Sequence, residues 1–133
     1  MRFFKLKIKM PKFVTCINCI DGRTQLPVIE FLRRKYNVDF VDLITIPGAD
    51  GVLAGGEKEM IELVKKNVGI SIIAHSSRLV AIAGHYDCAG NPVDEKIHIE
   101  NIKKCIEVIS NWGYEVEVIG LWVDKTWNVN QVE

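Results

Sequence analysis

The sequence predicts a three-layer α/β domain on a doubly wound sheet, with four parallel strands in the common order 2-1-3-4 and a C-terminal edge strand. Two observations carry that expectation. Short apolar, β-branched runs alternate with amphipathic helical spacings along the chain, the pattern of strand–helix–strand crossovers. The runs also lack the polar alternation of a half-exposed sheet, so they belong to strands covered on both faces.

Phe13 to Ile20 (FVTCINCI) is the first such run, and it delivers Cys19 to its carboxyl end. Pro27 fits the first turn of a helix, where a missing N–H costs little. Val28, Ile29, Phe31, Leu32 and Tyr36 then face inward, and the helix stops near Asn37. Asp39 to Ile46 is the second strand, followed by a loop, Pro47 to Gly51 and Gly55-Gly56, rich in residues that permit unusual backbone angles. A helix from about Glu57 turns Met60, Ile61, Val64 and Val68 inward, and Gly69 is expected to bend or break it. Leu79 to Ala83 is the third buried strand and ends at Gly84-His85. Ile99, Ile102, Ile106 and Ile109 mark another helix, closed by Gly113. Tyr114 to Trp122 forms the fourth strand, with Lys125 to Val132 as a short hairpin partner.

A chain of 133 residues holds one domain, assigned here to residues 13–133. The 17 basic and 17 acidic residues cancel, which argues against nucleic acid or an anionic membrane as partner. No apolar run approaches the roughly 20 residues of a membrane helix. Residues 1–12 alternate apolar side chains with Lys5, Lys7 and Lys9, as an edge strand or extension does, and Met10 is an alternative start. Without a secretion signal the expected location is cytoplasmic, where Cys16, Cys19, Cys88 and Cys105 stay reduced.

The chemistry concentrates at two strand ends. Thiolate and imidazole are ligands zinc prefers, and Cys19, His85 and Cys88 would fill three of four tetrahedral positions, leaving one open. In an open α/β sheet the ligand site lies beyond the strand carboxyl ends where strand order reverses. With order 2-1-3-4 that point lies between the strands ending in Cys19 and His85. Asp21 and Arg23, one residue apart, would point the same way on an extended backbone and pair beside the metal.

At these residues the chain resembles the β-class carbonic anhydrases, whose zinc site is Cys-x-Asp-x-Arg followed far downstream by His-x-x-Cys. Here those are Cys19-Ile20-Asp21-Gly22-Arg23 and His85-Tyr86-Asp87-Cys88. It is most similar to a compact, largely uncharacterised group within the class, over nearly everything from Phe13 to Val132. The resemblance implies one Zn²⁺ per chain and reversible hydration of CO₂ to bicarbonate by a zinc-bound hydroxide. Asp21 would accept a hydrogen bond from the hydroxide and so aim a lone pair at the carbon, and Arg23 would keep Asp21 from becoming the fourth ligand. Gly48 and Ala49 would line the substrate pocket. The related heteroallenes COS and CS₂ suit the same chemistry. Gly22 stands where the family usually has Ser, and Pro47-Gly48-Ala49-Asp50 only partly matches its Arg-Asn-Ala-Gly-Asn loop. The long N-terminal helices of many members are also missing.

Three other readings compete. Cys16 or Asp21 could close the zinc as a fourth ligand and leave a non-catalytic zinc protein, although parity on a strand turns Cys16 away from Cys19. Cys16-Ile17-Asn18-Cys19 could be a thiol redox pair, a chemistry that prefers a helix N-terminus to mid-strand. The two cysteines and the histidine could also pack without metal, beside an Asp21 and Arg23 that make a poor apolar site. Cys105 reads as a small buried hydrophobe, His75 and His98 as residues without a partner spacing, and Asp87 as a surface acid or a neighbour of the ligands. Exposed tryptophans among Trp112, Trp122 and Trp127 would favour a homo-oligomer, a dimer by default.

Overall fold

The computed structural model describes residues 10–133. The N-terminal expectation therefore lies outside the described residues up to position 9, and residues 10–12 join no strand. Nine elements follow: β1 (Phe13–Asn18), α1 (Gly22–Tyr36), β2 (Phe40–Thr45), α2 (Ala49–Gly55), α3 (Lys58–His75), β3 (Leu79–His85), α4 (Glu95–Ser110), β4 (Glu117–Val123) and β5 (Val129–Gln131). The sheet order is β2-β1-β3-β4-β5, with β5 antiparallel to β4 and all other pairs parallel. Both the three-layer class and the 2-1-3-4 order are those the sequence predicts.

Alternation along the strands divides the core in two. Ile17, Val80 and Ile82 face α2, α3 and α4, meeting Leu53, Val64, Val68 and Ile102. Cys16, Ala81, Ala83 and Leu121 face α1, meeting Val28 and Leu32. All seven residues of β3 are buried, as a central strand between two helical layers requires. β2 is the outer strand, and Phe40 stays exposed.

Local chemistry moves several boundaries. α1 begins at Gly22, well before Pro27, because the Asp21 side chain caps it by accepting from Arg23 N at 2.9 Å. Pro27 therefore lies inside the helix. The glycine-rich segment after β2 is no open loop but the short helix α2, entered through Gly48 at φ 58° and left through Gly56 at φ 74°. α3 runs unbroken through Gly69, whose missing Cβ would stand 2.6 Å from the Tyr114 hydroxyl. That residue makes room for Tyr114 and does not end the helix. β4 starts at Glu117, three residues later than the periodicity suggests.

Gly120 sets how closely α4 lies on the sheet. A Cβ there would stand 2.4 Å from Ile102 Cγ2 and 3.1 Å from Ile106 Cδ1. Gly120→Ala should lower unfolding free energy by about 1–3 kcal/mol, the usual cost of overpacking a filled core. Urea denaturation checks this, and an unchanged midpoint would mean that α4 is less tightly seated.

Candidate metal centre

Sheet register builds the centre. Ile17 of β1 is level with Ile82 of β3, so two residues on Cys19 leaves the sheet beside Gly84 and His85. The loop after β3 brings back Cys88. All three side chains are buried, and their ligand atoms lie within 4.8 Å of one another. The Cys19 and Cys88 sulfurs are 3.9 Å apart and unbonded. Two thiolates at tetrahedral angles on zinc, each with a bond of about 2.3 Å, would be separated by about 3.8 Å.

The surroundings also fit a metal ion. His85 Nδ1–H donates to the Tyr86 carbonyl at 2.7 Å, which fixes the tautomer and leaves the Nε2 lone pair free. Nε2 is buried without a hydrogen-bond partner. Burial, and secondly the neighbouring Cys19, push the Cys88 thiol up to about 11. Two thiolates this close need a cation between them, and a bound metal deprotonates a thiol outright. Gly48 N–H donates to Cys19 Sγ at 3.4 Å. Two sulfurs and one imidazole are a soft set that suits zinc.

Cys16 is absent from this cluster. It is fully buried on the α1 side, beside Val28 and Leu32, with its thiol pushed far up by burial. Cys105 is buried too, donates to the Asp50 carbonyl at 3.2 Å, and has its thiol pushed up to about 12 by burial. His98 and His75 do have partners. His98 Nδ1–H donates to Asp50 Oδ2 at 2.5 Å, with both residues buried, and His75 Nδ1 lies 2.6 Å from Asp42 Oδ2. Neither pairing is visible as sequence spacing, because each joins residues far apart in the chain.

Asp21 and Arg23 pair, but through a helix cap and not through the extended backbone the sequence suggests. Arg23 Nε donates to Asp21 Oδ1 at 3.0 Å and Nη2 to Oδ2 at 2.7 Å, a bidentate fork. The fork holds the Asp21 carboxyl down at about 2, against a smaller opposing push from burial. Asp21 is thus ionised at neutral pH. Its oxygens are not in the sulfur–imidazole cluster. Gln25 Nε2 donates to the Cys19 carbonyl at 2.6 Å and the Thr24 hydroxyl to the Asp21 carbonyl at 2.8 Å, fixing the backbone between ligand and cap.

Two further residues flank this pair: Asp87, which the sequence reads as a surface acid or a neighbour of the ligands, and Trp127, which the sequence missed. Asp87 accepts from Arg23 through its carboxylate at 3.3 Å and its carbonyl at 3.1 Å. Trp127 lies with its ring 4.6 Å below the Arg23 guanidinium carbon. The position inside His-x-x-Cys flags Asp87 in the sequence, whereas nothing local flags Trp127. The expected pocket residues stand elsewhere than the adjoining cavity of about 610 Å³, whose lining includes Tyr86, Cys88, Val93 and Trp122. Gly48 is wedged against Gly90, where a Cβ would come within 2.5 Å of backbone, and Ala49 is buried.

Solved β-carbonic anhydrases share this fold. Isoform I (TvaCA1) from Trichomonas vaginalis is 18% identical at a TM-score of 0.59, over 93% of this chain and 84% of that one. Carbonic anhydrase from Streptococcus mutans is 15% identical at 0.60, over 92% and 83%. Tetrameric β-carbonic anhydrases from Sordaria macrospora match at 12% identity and 0.61, over 92% and 80%. At such identities the likeness is one of fold. The model of a family described as "Putative carbonic anhydrase" matches residues 9–133, and the chain belongs to that family. Comparison with curated protein sequences finds no match.

If the cluster takes up metal, Cys88→Ser should lose most of the zinc while Cys16→Ala keeps about one ion per chain. Metal analysis after gel filtration reads both. Full occupancy in Cys88→Ser would overturn its assignment as a ligand.

Proposed function

We propose that the protein is a zinc enzyme that reversibly hydrates CO₂ to bicarbonate, with Cys19, His85 and Cys88 as metal ligands and Asp21 and Arg23 as the residues serving the reaction. One observation carries this reading: a buried set of three soft ligands stands close to a carboxylate that an arginine fork keeps ionised and outside the set. Family membership and the neighbours' printed names support it.

Zinc in such a site supplies a Lewis acid that lowers the pKa of water to about 7 and so provides a nucleophile at neutral pH. The chain's own residues do the rest. Ionised Asp21 accepts hydrogen bonds and cannot donate them, so it orients the attacking oxygen toward the carbon of CO₂. Arg23 holds Asp21 in that role and away from the fourth ligand position. His85 keeps Nε2 available because its Nδ1 proton is committed to Tyr86.

Self-association as a dimer belongs to the same proposal, although the observation behind it changes. None of the three tryptophans is exposed; the exposed apolar side chains include Phe40 on outer strand β2 and Leu63, Ile70 and Ile73 on neighbouring α3. Four free cysteines suit a reducing compartment such as the cytoplasm. Among the described residues no helix is long and apolar enough to cross a membrane.

Stopped-flow CO₂ hydration on zinc-loaded protein tests the proposal. Wild type should be active, and Asp21→Asn should keep its zinc yet lose about 100-fold in rate, the scale of a misplaced reacting group. Equal rates would remove Asp21 from the reaction. An inactive zinc-loaded wild type would overturn the hydratase reading, and turnover of COS or CS₂ alone would change the substrate.

A further inference from the structure

Four non-glycine residues among those described have positive φ: Asn37, Ser76, Asp87 and Trp127. Asn37 and Ser76 end helices, where this conformation is ordinary. Asp87, at φ 57°, and Trp127, at φ 62°, end none. Both touch Arg23, and they arrive from different parts of the fold. Aspartate tolerates left-handed backbone, but for a bulky residue such as Trp127 it is an outlier that persists only where the surroundings enforce it.

What enforces Trp127 is visible in the β4–β5 hairpin. Asp124 Oδ1 accepts from Thr126 N at 3.0 Å, Thr126 Oγ1 at 2.8 Å and Asn128 N at 3.0 Å, while Oδ2 accepts from Asn130 Nδ2 at 3.1 Å. Trp127 N–H closes the turn on the Asp124 carbonyl at 2.9 Å. These bonds hold the indole face against the guanidinium. Arg23 is then constrained on several sides: the Asp21 fork, the Asp87 carboxylate and carbonyl, and the Trp127 ring beneath its plane. All but one of its N–H groups are engaged.

We infer that Trp127 is a positioning residue that, together with Asp87, holds Arg23 in the one orientation whose fork keeps the Asp21 carboxylate away from the fourth metal position. The inference rests on the proposed metal site and deepens it. Half of the Arg23 side chain is open to solvent, so a bare Asp21–Arg23 pair would exchange readily with water. The indole and Asp87 remove that freedom. Releasing Arg23 would let Asp21 swing in and close the site.

Cobalt(II) in place of zinc, titrated with azide, reads the open position without reference to turnover. Trp127→Leu removes the π face and keeps apolar bulk; Trp127→Phe restores a smaller face. In Trp127→Leu the cobalt stoichiometry and the sulfur-to-cobalt charge-transfer band should match wild type, while azide binding weakens about tenfold, as expected if nine-tenths of the sites are closed. Trp127→Phe should recover most of that loss, and Asp21→Ala added to Trp127→Leu should abolish it. An azide titration of Trp127→Leu equal to wild type overturns the proposal alone. So does a loss that persists in the double variant, because the effect would not then run through Asp21. Failure of the wild-type chain to take up cobalt overturns the metal reading and this proposal with it.

Discussion

Two thiols and an imidazole are buried within 4.8 Å of one another, and that arrangement constrains everything around it. Without a cation it is costly: Cys88 is pushed up to about 11 and His85 Nε2 lacks a partner. With one, the same desolvation strengthens each ligand bond. The fold meets this demand by topology. Placing β1 beside β3 puts the ends of two central strands together at the point where strand order reverses, and neither loop has to reach far.

The second layer of the site is backbone packing. Gly48 and Gly90 come so close that a Cβ on either would meet the other loop's backbone at 2.5–2.6 Å, which lets Gly48 N–H reach the Cys19 sulfur. The departure from the Asn-bearing family loop therefore has a local reason. At φ 58° an asparagine could adopt the backbone, but no side chain fits the gap. Behind that loop, buried Asp50 accepts from His98 and from Asn91 Nδ2 at 3.2 Å, tying α2, α4 and the loop after β3 into one rigid support.

The sheet order and the meeting of Cys19, His85 and Cys88 were legible in the sequence because both depend on where buried strands end. Strand ends are marked by abrupt changes of composition, as at Ala83-Gly84-His85. What was not legible depends on contacts over long separations or on competing local signals. Pro27 drew the start of α1 forward, although Asp21 was the better cap. Seven glycine-rich residues gave too little periodicity to show α2. Trp127 reaches Arg23 only because Asp124 organises a turn, and no spacing in the chain announces that. His98 and Asp50 lie 48 positions apart and on different helices.

X-ray absorption at the zinc edge of the loaded protein addresses the central claim most directly. The account predicts two sulfur ligands at about 2.3 Å and the remainder nitrogen or oxygen at about 2.0–2.1 Å. Three sulfurs, which would require Cys16 or Cys105 to leave the core, or none at all, would contradict it.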